Sequence, residues 1–214
     1  MTRPGPSTAS VRLAALFGLG SVCFAVGSLP LYVAQVSPAA TAWTFAVGSV
    51  LFTSAAALQA AGTPRDARLD RAAAFVQLVG TVCFNVSTFA ATRDLAALPA
   101  RHLVWAPDVY GSICFLVASV LACVSVRRAS ARRGRSVDWW VAALNLAGSV
   151  AFGAAAVAAR YVAGTTEETN VALVNAGTCL GALCFLAGAV LLPVGSAREA
   201  RAAARTGGGR PGGA

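Results

Sequence analysis

The sequence predicts an all-α integral membrane protein with six transmembrane helices. Three observations indicate this class. The chain is 57% hydrophobic and only 12% charged, it contains six long apolar runs, and each run carries the same short glycine–phenylalanine motif. Soluble domains usually carry about a quarter charged residues. With a mean hydropathy of +0.68, the chain has the composition of a protein that lies in lipid.

Each apolar run is long enough to cross a bilayer and contains no arginine. A spanning helix needs about 20 apolar residues, and a backbone in lipid must satisfy its own hydrogen bonds, which favours helices. The predicted spans are residues 13–34, 41–61, 72–92, 103–126, 139–159 and 171–194. Residues 1–12 are predicted to be a cytoplasmic N-terminal segment, and residues 195–214, which end in "TGGGRPGGA", a basic disordered tail.

The first run could also act as a signal peptide, because Arg3 and Arg12 precede it. The run is of full length, however, and it carries the motif that all the other runs share. We therefore expect it to remain as a membrane helix.

The basic residues predict the orientation of the chain. All 17 are arginines, and cytoplasmic flanks of membrane helices carry the excess of positive charge. One side would carry fourteen of them: Arg3, Arg12, Arg65, Arg68, Arg71, Arg127, Arg128, Arg132, Arg133, Arg135, Arg198, Arg201, Arg205 and Arg210. The other side would carry Arg93, Arg101 and Arg160. Both termini are thus predicted to be cytoplasmic, in the plasma membrane.

The net charge of +9 is interpreted as topology and not as a nucleic-acid surface, because the arginines lie between apolar runs. The lipid bilayer is the expected partner. Arg198, Arg201 and Arg205 fall at helical spacing and could bind anionic lipid, each contributing about 1 kcal/mol. A homo-oligomer is compatible with the sequence.

The motif Gly-small-x-x-Phe occurs once in each run. Its glycines and phenylalanines are Gly20 and Phe24, Gly48 and Phe52, Gly80 and Phe84, Gly111 and Phe115, Gly148 and Phe152, and Gly181 and Phe185. A further small residue follows seven positions after each glycine. These positions share one helix face, and small residues let membrane helices approach closely. We predict core packing with an aromatic layer near the membrane midplane; a ring that lines a path is the functional alternative.

The copies also predict a larger repeat. "GSVCFAVGS" in the first run resembles "GSICFLVAS" in the fourth, and the second and fifth runs match in a similar way. Repeats of three helices must lie in opposite orientations, which predicts a 3+3 inverted repeat as found in many secondary transporters. Because every run carries the motif, three hairpin repeats remain the alternative.

The repeated "GSxxF" spans, together with "WAPDVYGSICFLVAS", resemble the YrhK-like bacterial membrane proteins. The resemblance covers most of the membrane part of the chain, and best the first and fourth runs. It implies a small helical membrane protein. It supplies neither a mechanism nor catalytic residues.

Asp108 is the acidic residue that the pattern places inside a span. Intramembrane carboxylates often mark ion or proton paths. The competing interpretation is that Pro107 and Asp108 form the first turn of a helix, where the carboxylate meets the helix dipole, and that Trp105 anchors the helix at the interface. His102 is near enough in sequence to form a proton-sensitive pair with Asp108.

Further polar residues occupy the apolar runs. Gln77 and Asn145 are expected toward the cytoplasm, and Asp108 and Thr178 toward the outside; Asn85 and Asn175 add two amides. Buried amides usually join membrane helices, and a polar cavity is the functional alternative. The chain's six cysteines lack zinc-site spacing and are interpreted as packing residues.

The sequence indicates no cofactor, no metal site and no catalytic set. There is no lysine for a Schiff base, and His102 is the chain's single histidine. We therefore expect a non-enzymatic membrane protein of structural or regulatory type. The alternative is a small-solute or ion transporter or channel with a polar cavity near Asp108.

Overall fold

The computed structural model of the protein describes residues 5–130 and 136–207. Within these ranges six helices are long and apolar enough to cross a membrane, so the predicted all-α multi-pass membrane protein is confirmed. Large apolar side chains cover the outside of the helices, and Leu31, Val157 and Val190 are 71%, 73% and 63% exposed. An apolar surface of this extent fits lipid and not water.

The described part of the chain forms three pairs of long helices. The first pair is α1 (Thr8–Gly27) and α3 (Pro38–Gly62), joined by the short helix α2 (Pro30–Gln35). The second pair is α4 (Arg68–Ala91) and α6 (Ala106–Ser130), and α6 continues directly from α5 (Ala97–Ala100) and a π-helical turn (Arg101–Trp105). The third pair is α7 (Val137–Ala158) and α8 (Val171–Gly207).

Serines and prolines set where several helices begin. The side chains of Ser7, Ser37 and Ser136 accept hydrogen bonds from backbone N–H groups in the first turns of α1, α3 and α7.

The predicted first span is wrong at its end, because α1 stops at Gly27 and the chain restarts as α2 at Pro30. Proline has no N–H to continue the helical hydrogen bonds. The N-terminal segment before the first helix is also shorter than the predicted residues 1–12, because α1 already begins at Thr8.

The predicted disordered tail is wrong for residues 195–207, where α8 continues as a helix. The stretch "AREARAAAR" explains the difference, because alanine, arginine and glutamate are strong helix formers. Arg198, Arg201 and Arg205 lie on this extension and are exposed. The rest of the predicted tail, residues 208–214, lies outside the described residues.

The long helices form a closed ring in sequence order. Each packs against the next, and α8 packs against α1. Neighbours are antiparallel: Gly20 meets Gly48, whereas Gly27, farther along α1, meets Phe45 on the preceding part of α3. Helix starts therefore alternate between the two ends of the bundle.

The two ends differ in charge and are named here by their residues. The arginine end holds Arg12, Arg65 and Arg127, and there the hydroxyls of Ser10 and Ser196 lie 2.8 Å apart and join α1 to α8. The opposite end holds the start of α6 and the connection 159–170, and is called the Asp108 end.

The motif glycines bring the two helices of each hairpin into backbone contact. A Cβ added to Gly20 would lie 3.1 Å from the carbonyl oxygen of Gly48, and one added to Gly111 would lie 3.0 Å from that of Gly80. Real Cβ atoms rarely come so near to a backbone oxygen that cannot move away. All six motif glycines and the small residues seven positions later are buried. In the described part of the chain, these residues thus pack helix against helix.

The motif phenylalanines meet on the bundle axis and fill it. Phe24, Phe84 and Phe152 contact one another with ring centroids 5.8–6.3 Å apart. Phe52, Phe115 and Phe185 form a second triangle with distances of 5.7–6.3 Å. We call these rings the phenylalanine core. No ring in it is more than 7% exposed, so the rings pack against each other and do not line an open path.

Contacts in the phenylalanine core follow a threefold arrangement of hairpins. The two triangles are joined by Phe24–Phe52, Phe84–Phe115 and Phe152–Phe185, at 5.6, 5.1 and 5.3 Å. In a 3+3 inverted repeat, the first and second long helices correspond to the fourth and fifth, so the contact Phe24–Phe52 would have Phe115–Phe152 as its counterpart. Among the described residues, these two rings are not in contact. The core therefore follows the three-hairpin alternative, and the inverted repeat stays a prediction.

Hydrogen bonds between side chains join one hairpin to the next. Between α3 and α4, Ser49 Oγ lies 2.6 Å from Asn85 Oδ1, and Asn85 Nδ2 donates to Thr53 Oγ1 at 2.7 Å. Between α6 and α7, the hydroxyls of Ser119 and Ser149 lie 2.8 Å apart. Asn85 thus has the joining role expected of a buried amide.

Candidate functional site

A cavity of about 170 Å³ enters the bundle at the Asp108 end. It reaches down to one triangle of the phenylalanine core, formed by Phe24, Phe84 and Phe152. Its remaining walls combine aromatic, hydroxyl and carboxyl side chains from several helices and from the connection 159–170. The polar and aromatic lining residues above the core are Phe45, Ser87, Thr88, Trp105, Asp108, Ser112, Tyr161, Glu168 and Thr178.

Asp108 lies in the first turn of α6 and lines this cavity. The span that contains it begins at Ala97, so Asp108 lies about 16 Å along the helix at 1.5 Å per residue. Pro107 and Asp108 thus lie in the first turn of α6, as one interpretation predicts, but this turn is not a free helix start because α6 continues from α5 and the π turn. Pro107 is accommodated inside the helix because a π turn precedes it: the N–H of Ala106 donates to the carbonyl of Arg101, five residues earlier. This widened turn relieves the ring clash that proline causes in a helix.

A small hairpin in the connection 159–170 brings a second carboxylate into the cavity. Tyr161 and Glu168 form an antiparallel bridge, and Gly164, with φ of 80°, lies in the turn between them. Their side chains are half-buried and line the cavity, whereas the neighbouring Val162 and Glu167 are exposed. The hairpin therefore adds Glu168 to a site that α6 supplies with Asp108.

The electrostatics of the hairpin show that the acidic groups act on one another. Burial raises the pKa of Glu168 above its ordinary value. The pKa of Tyr161 is also raised, first by burial and then by the negative charges of Glu168 and Asp108. Among the described residues that line the cavity, none carries a positive charge. The cavity thus holds the carboxyl groups of Asp108 and Glu168 without a protein cation beside them.

Ser112 lies in the cavity wall, and its hydroxyl has no hydrogen-bond partner among the described residues. It is 4% exposed, and its Oγ is fully enclosed and unpaired among the described residues. At the equivalent motif position, Ser49 pairs with Asn85 and Thr88. Asn85 and Thr88 follow the motif glycine of the next helix by five and eight residues. For Ser112, the corresponding residues on the next helix are Gly153 and Ala156, and neither has a polar side chain.

Trp105 belongs to the cavity wall. Its indole N–H donates to the carbonyl of Ala156 on α7 at 3.0 Å, which fixes the ring across the α6–α7 interface. The guanidinium of Arg101 lies 5.6 Å from the ring centroid, within range of a cation–π contact. Trp105 is half-buried and held by these two contacts, and its role as an interfacial anchor stays a prediction.

The structure separates the other polar residues of the predicted site. His102 is exposed on the π turn and does not line the cavity, so it forms no pair with Asp108. Gln77 and Asn175 are half-buried and lie outside this cavity. Asn145 is found toward the opposite end, in a second cavity. Thr178, in contrast, lines the first cavity together with Asp108.

The second cavity lies toward the arginine end and measures about 300 Å³. Phe185, from the second triangle of the phenylalanine core, forms part of its wall. Its polar lining residues are Gln59, Asp138 and Asn145. The phenylalanine core therefore stands between two cavities that approach it from opposite ends of the bundle.

Glu168 and Tyr161 were not predicted as site residues. The sequence shows them only as part of a polar connection, "YVAGTTEETN". The signal that could have indicated them is the glycine turn with an aromatic residue before it and a glutamate after it. In a short hairpin, such flanking residues can face the same side.

All six cysteines are free thiols and are half-buried. Cβ atoms added to Gly48 and Gly80 would each lie 2.9 Å from a cysteine Cβ, that of Cys23 and that of Cys114, so these two cysteines pack closely against the motif glycines. In the described parts of the chain, no group of three or more histidine, cysteine or acidic residues is arranged to hold a metal ion.

Comparison with protein-family models, with curated proteins and with solved structures gives no match. The resemblance to the YrhK-like membrane proteins thus stays a prediction.

Proposed function

We propose that the protein is a small-solute carrier of the cytoplasmic membrane, with its solute site in the cavity at the Asp108 end. The observation that carries the proposal is a cavity lined by Asp108, Glu168 and Ser112, in whose wall the Ser112 hydroxyl is buried without a partner. Buried polar groups are normally hydrogen-bonded, so such a set of free polar groups is typical of a ligand site. The proposed function is non-enzymatic.

A carrier accounts for the arrangement better than an open channel does. The phenylalanine core closes the axis with rings in mutual contact, and a cavity approaches it from each end. Passage of a solute would require the hairpins to move against one another. Many carriers work by such rocking of structural repeats around a site near the midplane.

The orientation that we propose follows from the distribution of arginine. With the arginine end in the cytoplasm, as the positive-inside rule favours, the cavity with Asp108 would open to the outside. The exposed Arg198, Arg201 and Arg205 on α8 would then lie where anionic lipid headgroups are available.

A second candidate function, a structural or regulatory membrane protein, is favoured by the solid interior. The glycine contacts and the phenylalanine core fill the axis of the bundle, which suits a rigid scaffold that acts alone or as a homo-oligomer. This candidate gives no role to the free polar groups in the cavity.

Thiol labelling tests the two candidates. In a variant whose native cysteines are replaced by alanine, Thr178→Cys places a thiol in the cavity, and Ala182→Cys places one at a position that is 0% exposed. We expect a small, membrane-impermeant methanethiosulfonate, added to the outside of intact cells, to label Thr178→Cys and not Ala182→Cys. A folded Thr178→Cys variant that stays unlabelled from both sides would contradict the carrier and favour the structural candidate.

A further inference from the structure

We propose that the cavity at the Asp108 end binds a primary organic ammonium ion about the size of a benzene ring with one short substituent. The inference rests on the proposed carrier function and specifies the chemistry of its solute. Four properties of the cavity support it: charge, hydrogen-bonding groups, aromatic lining and volume.

The charge of the cavity favours a cation. Asp108 and Glu168 both line it, and neither forms a hydrogen bond or an ion pair within the described residues. Removing carboxylates from water without a partner is costly. A ligand with one positive charge would lower this cost, whereas an anion would raise it.

The hydrogen-bonding groups favour an ammonium ion with several N–H donors. Ionised carboxylates only accept hydrogen bonds, and a serine hydroxyl can accept as well as donate. Ser112 is unpaired and lies one helical turn from Asp108 on α6, so the two residues share one face of the helix. A primary ammonium group has three N–H donors, enough for Asp108, Glu168 and Ser112 together.

The aromatic lining favours an organic body on that cation. Rings of Phe24, Phe84 and Phe152 form the bottom of the cavity, and Trp105 and Tyr161 line its upper part. Aromatic faces attract cations and also bury apolar groups. An inorganic ion would leave this apolar surface without a contact.

The volume limits the size of the ligand. A cavity of about 150 Å³ holds one benzene molecule, and this cavity measures about 170 Å³. A ligand of about six to nine non-hydrogen atoms therefore fits. Benzylammonium, with a ring, one methylene and one ammonium group, is a suitable probe.

Calorimetric titration of the full-length protein in detergent tests the inference. We expect benzylammonium to bind, and its neutral and anionic analogues, benzyl alcohol and benzoate, to bind at least about tenfold more weakly, since hydrogen bonds to charged groups contribute about 1.5–3 kcal/mol. Equal binding of benzyl alcohol, or no binding of benzylammonium, would overturn the proposal. Tighter binding of benzyltrimethylammonium would overturn the primary-amine specificity, and saturation by sodium ions alone would overturn the organic class.

Matched variants locate the site. Asp108→Asn and Glu168→Gln should each weaken benzylammonium binding by about tenfold or more, and Ser112→Ala by about fivefold, as expected for loss of one hydrogen bond. Glu167→Gln alters the exposed neighbour of Glu168. This variant should bind benzylammonium as tightly as the unmodified protein does. Because Asp108→Asn could also disturb folding, each variant is compared by size-exclusion profile. Unchanged binding in Glu168→Gln would contradict the proposal.

The two proposals can fail separately. If Thr178→Cys is labelled from outside but benzylammonium does not bind, the carrier function stands and the solute class is wrong. If Thr178→Cys is never labelled, the carrier function itself is contradicted.

Discussion

Gly148 and Gly181 lie in backbone contact at the interface of α7 and α8. A Cβ added to Gly148 would stand 2.9 Å from the carbonyl oxygen of Gly181 and 3.2 Å from the Cβ of Cys184. Neither atom belongs to a flexible side-chain end, so the helices themselves would have to separate.

We expect Gly148→Ala to destabilise the protein by about 1–3 kcal/mol, the usual cost of overpacking. Gly153→Ala is the matched control, because it lies on the same helix and a Cβ there meets nothing within 4 Å. Thermal unfolding in detergent measures both. A Gly148→Ala variant as stable as Gly153→Ala would show that the helices are not in close contact.

Phe152 separates the two cavities. Its ring contacts Phe24, Phe84 and Phe185 at 5.8, 6.0 and 5.3 Å. We expect Phe152→Ala to lower stability by about 3–5 kcal/mol, and to raise the leak of small solutes through proteoliposomes because the core no longer closes the axis. Phe75→Ala, at a side chain that is 63% exposed, should change neither property. An unchanged leak in a folded Phe152→Ala variant would contradict the closing role.

Ser112 and Ser149 are equivalent motif serines with opposite hydrogen bonding. Ser149 lies 2.8 Å from the hydroxyl of Ser119 and donates to the carbonyl of Asn145 at 2.8 Å, whereas Ser112 is unpaired. We expect Ser149→Ala to cost about 1–2 kcal/mol, since it leaves Ser119 without its partner. Ser112→Ala should be neutral or slightly stabilising without ligand. Chemical or thermal unfolding in detergent measures the stability of both variants. Equal losses of stability would mean that Ser112 has a hydrogen-bond partner in the folded protein.

Glu168 should make the stability of the ligand-free protein depend on pH. Burial raises its pKa, so the folded state holds the proton more tightly than the unfolded state. Its contribution is therefore fully present below the unfolded pKa of about 4.3, and is lost as pH rises through the raised folded pKa. The melting temperature should fall over that window in the unmodified protein, and less in Glu168→Gln.

Glu167→Gln provides the comparison for this pH dependence. Glu167 occupies the same hairpin and is exposed, so its replacement should leave the fall in melting temperature intact. If Glu168→Gln and the unmodified protein show the same pH profile, the buried position of Glu168 is contradicted.

Ammonium binding should change with pH in the opposite direction to stability. The ionisable groups that line the cavity are Asp108 on α6 and Tyr161 and Glu168 in the connecting hairpin. Lowering the pH through the raised pKa of Glu168 removes a negative charge, so benzylammonium affinity should fall. Titrations at several pH values measure this, and an affinity that rises with acidity would exclude Glu168 as a contact of the cation.

Much of the packing could be predicted because it depends on one helix face at a time. Gly48 and Phe52 recur at fixed spacing, and that spacing alone places them on a shared face. In lipid, small residues on such a face mainly allow neighbouring helices to pack closely. The burial of every motif position followed from these two facts.

The site could be predicted only in part. Asp108 was visible as a carboxylate within an apolar run, but whether it capped a helix depended on where that helix began. The π turn Arg101–Trp105 allowed the helix to start at Ala97 and carry Pro107 inside it. Local preferences for proline and aspartate favour a helix start, and both residues do lie in the first turn of α6, but the π turn joins that turn to the helical residues before it.

The sequence by itself determined the membrane class, the number of spans and the face on which each helix packs, because hydrophobic length and motif spacing are properties of single segments. The tertiary structure alone decided which helices became hairpin partners and that the phenylalanines close the axis. It also decided that Glu168 joins Asp108 in one cavity. These features depend on contacts between segments far apart in the chain, and the spacing of residues within one segment does not specify them.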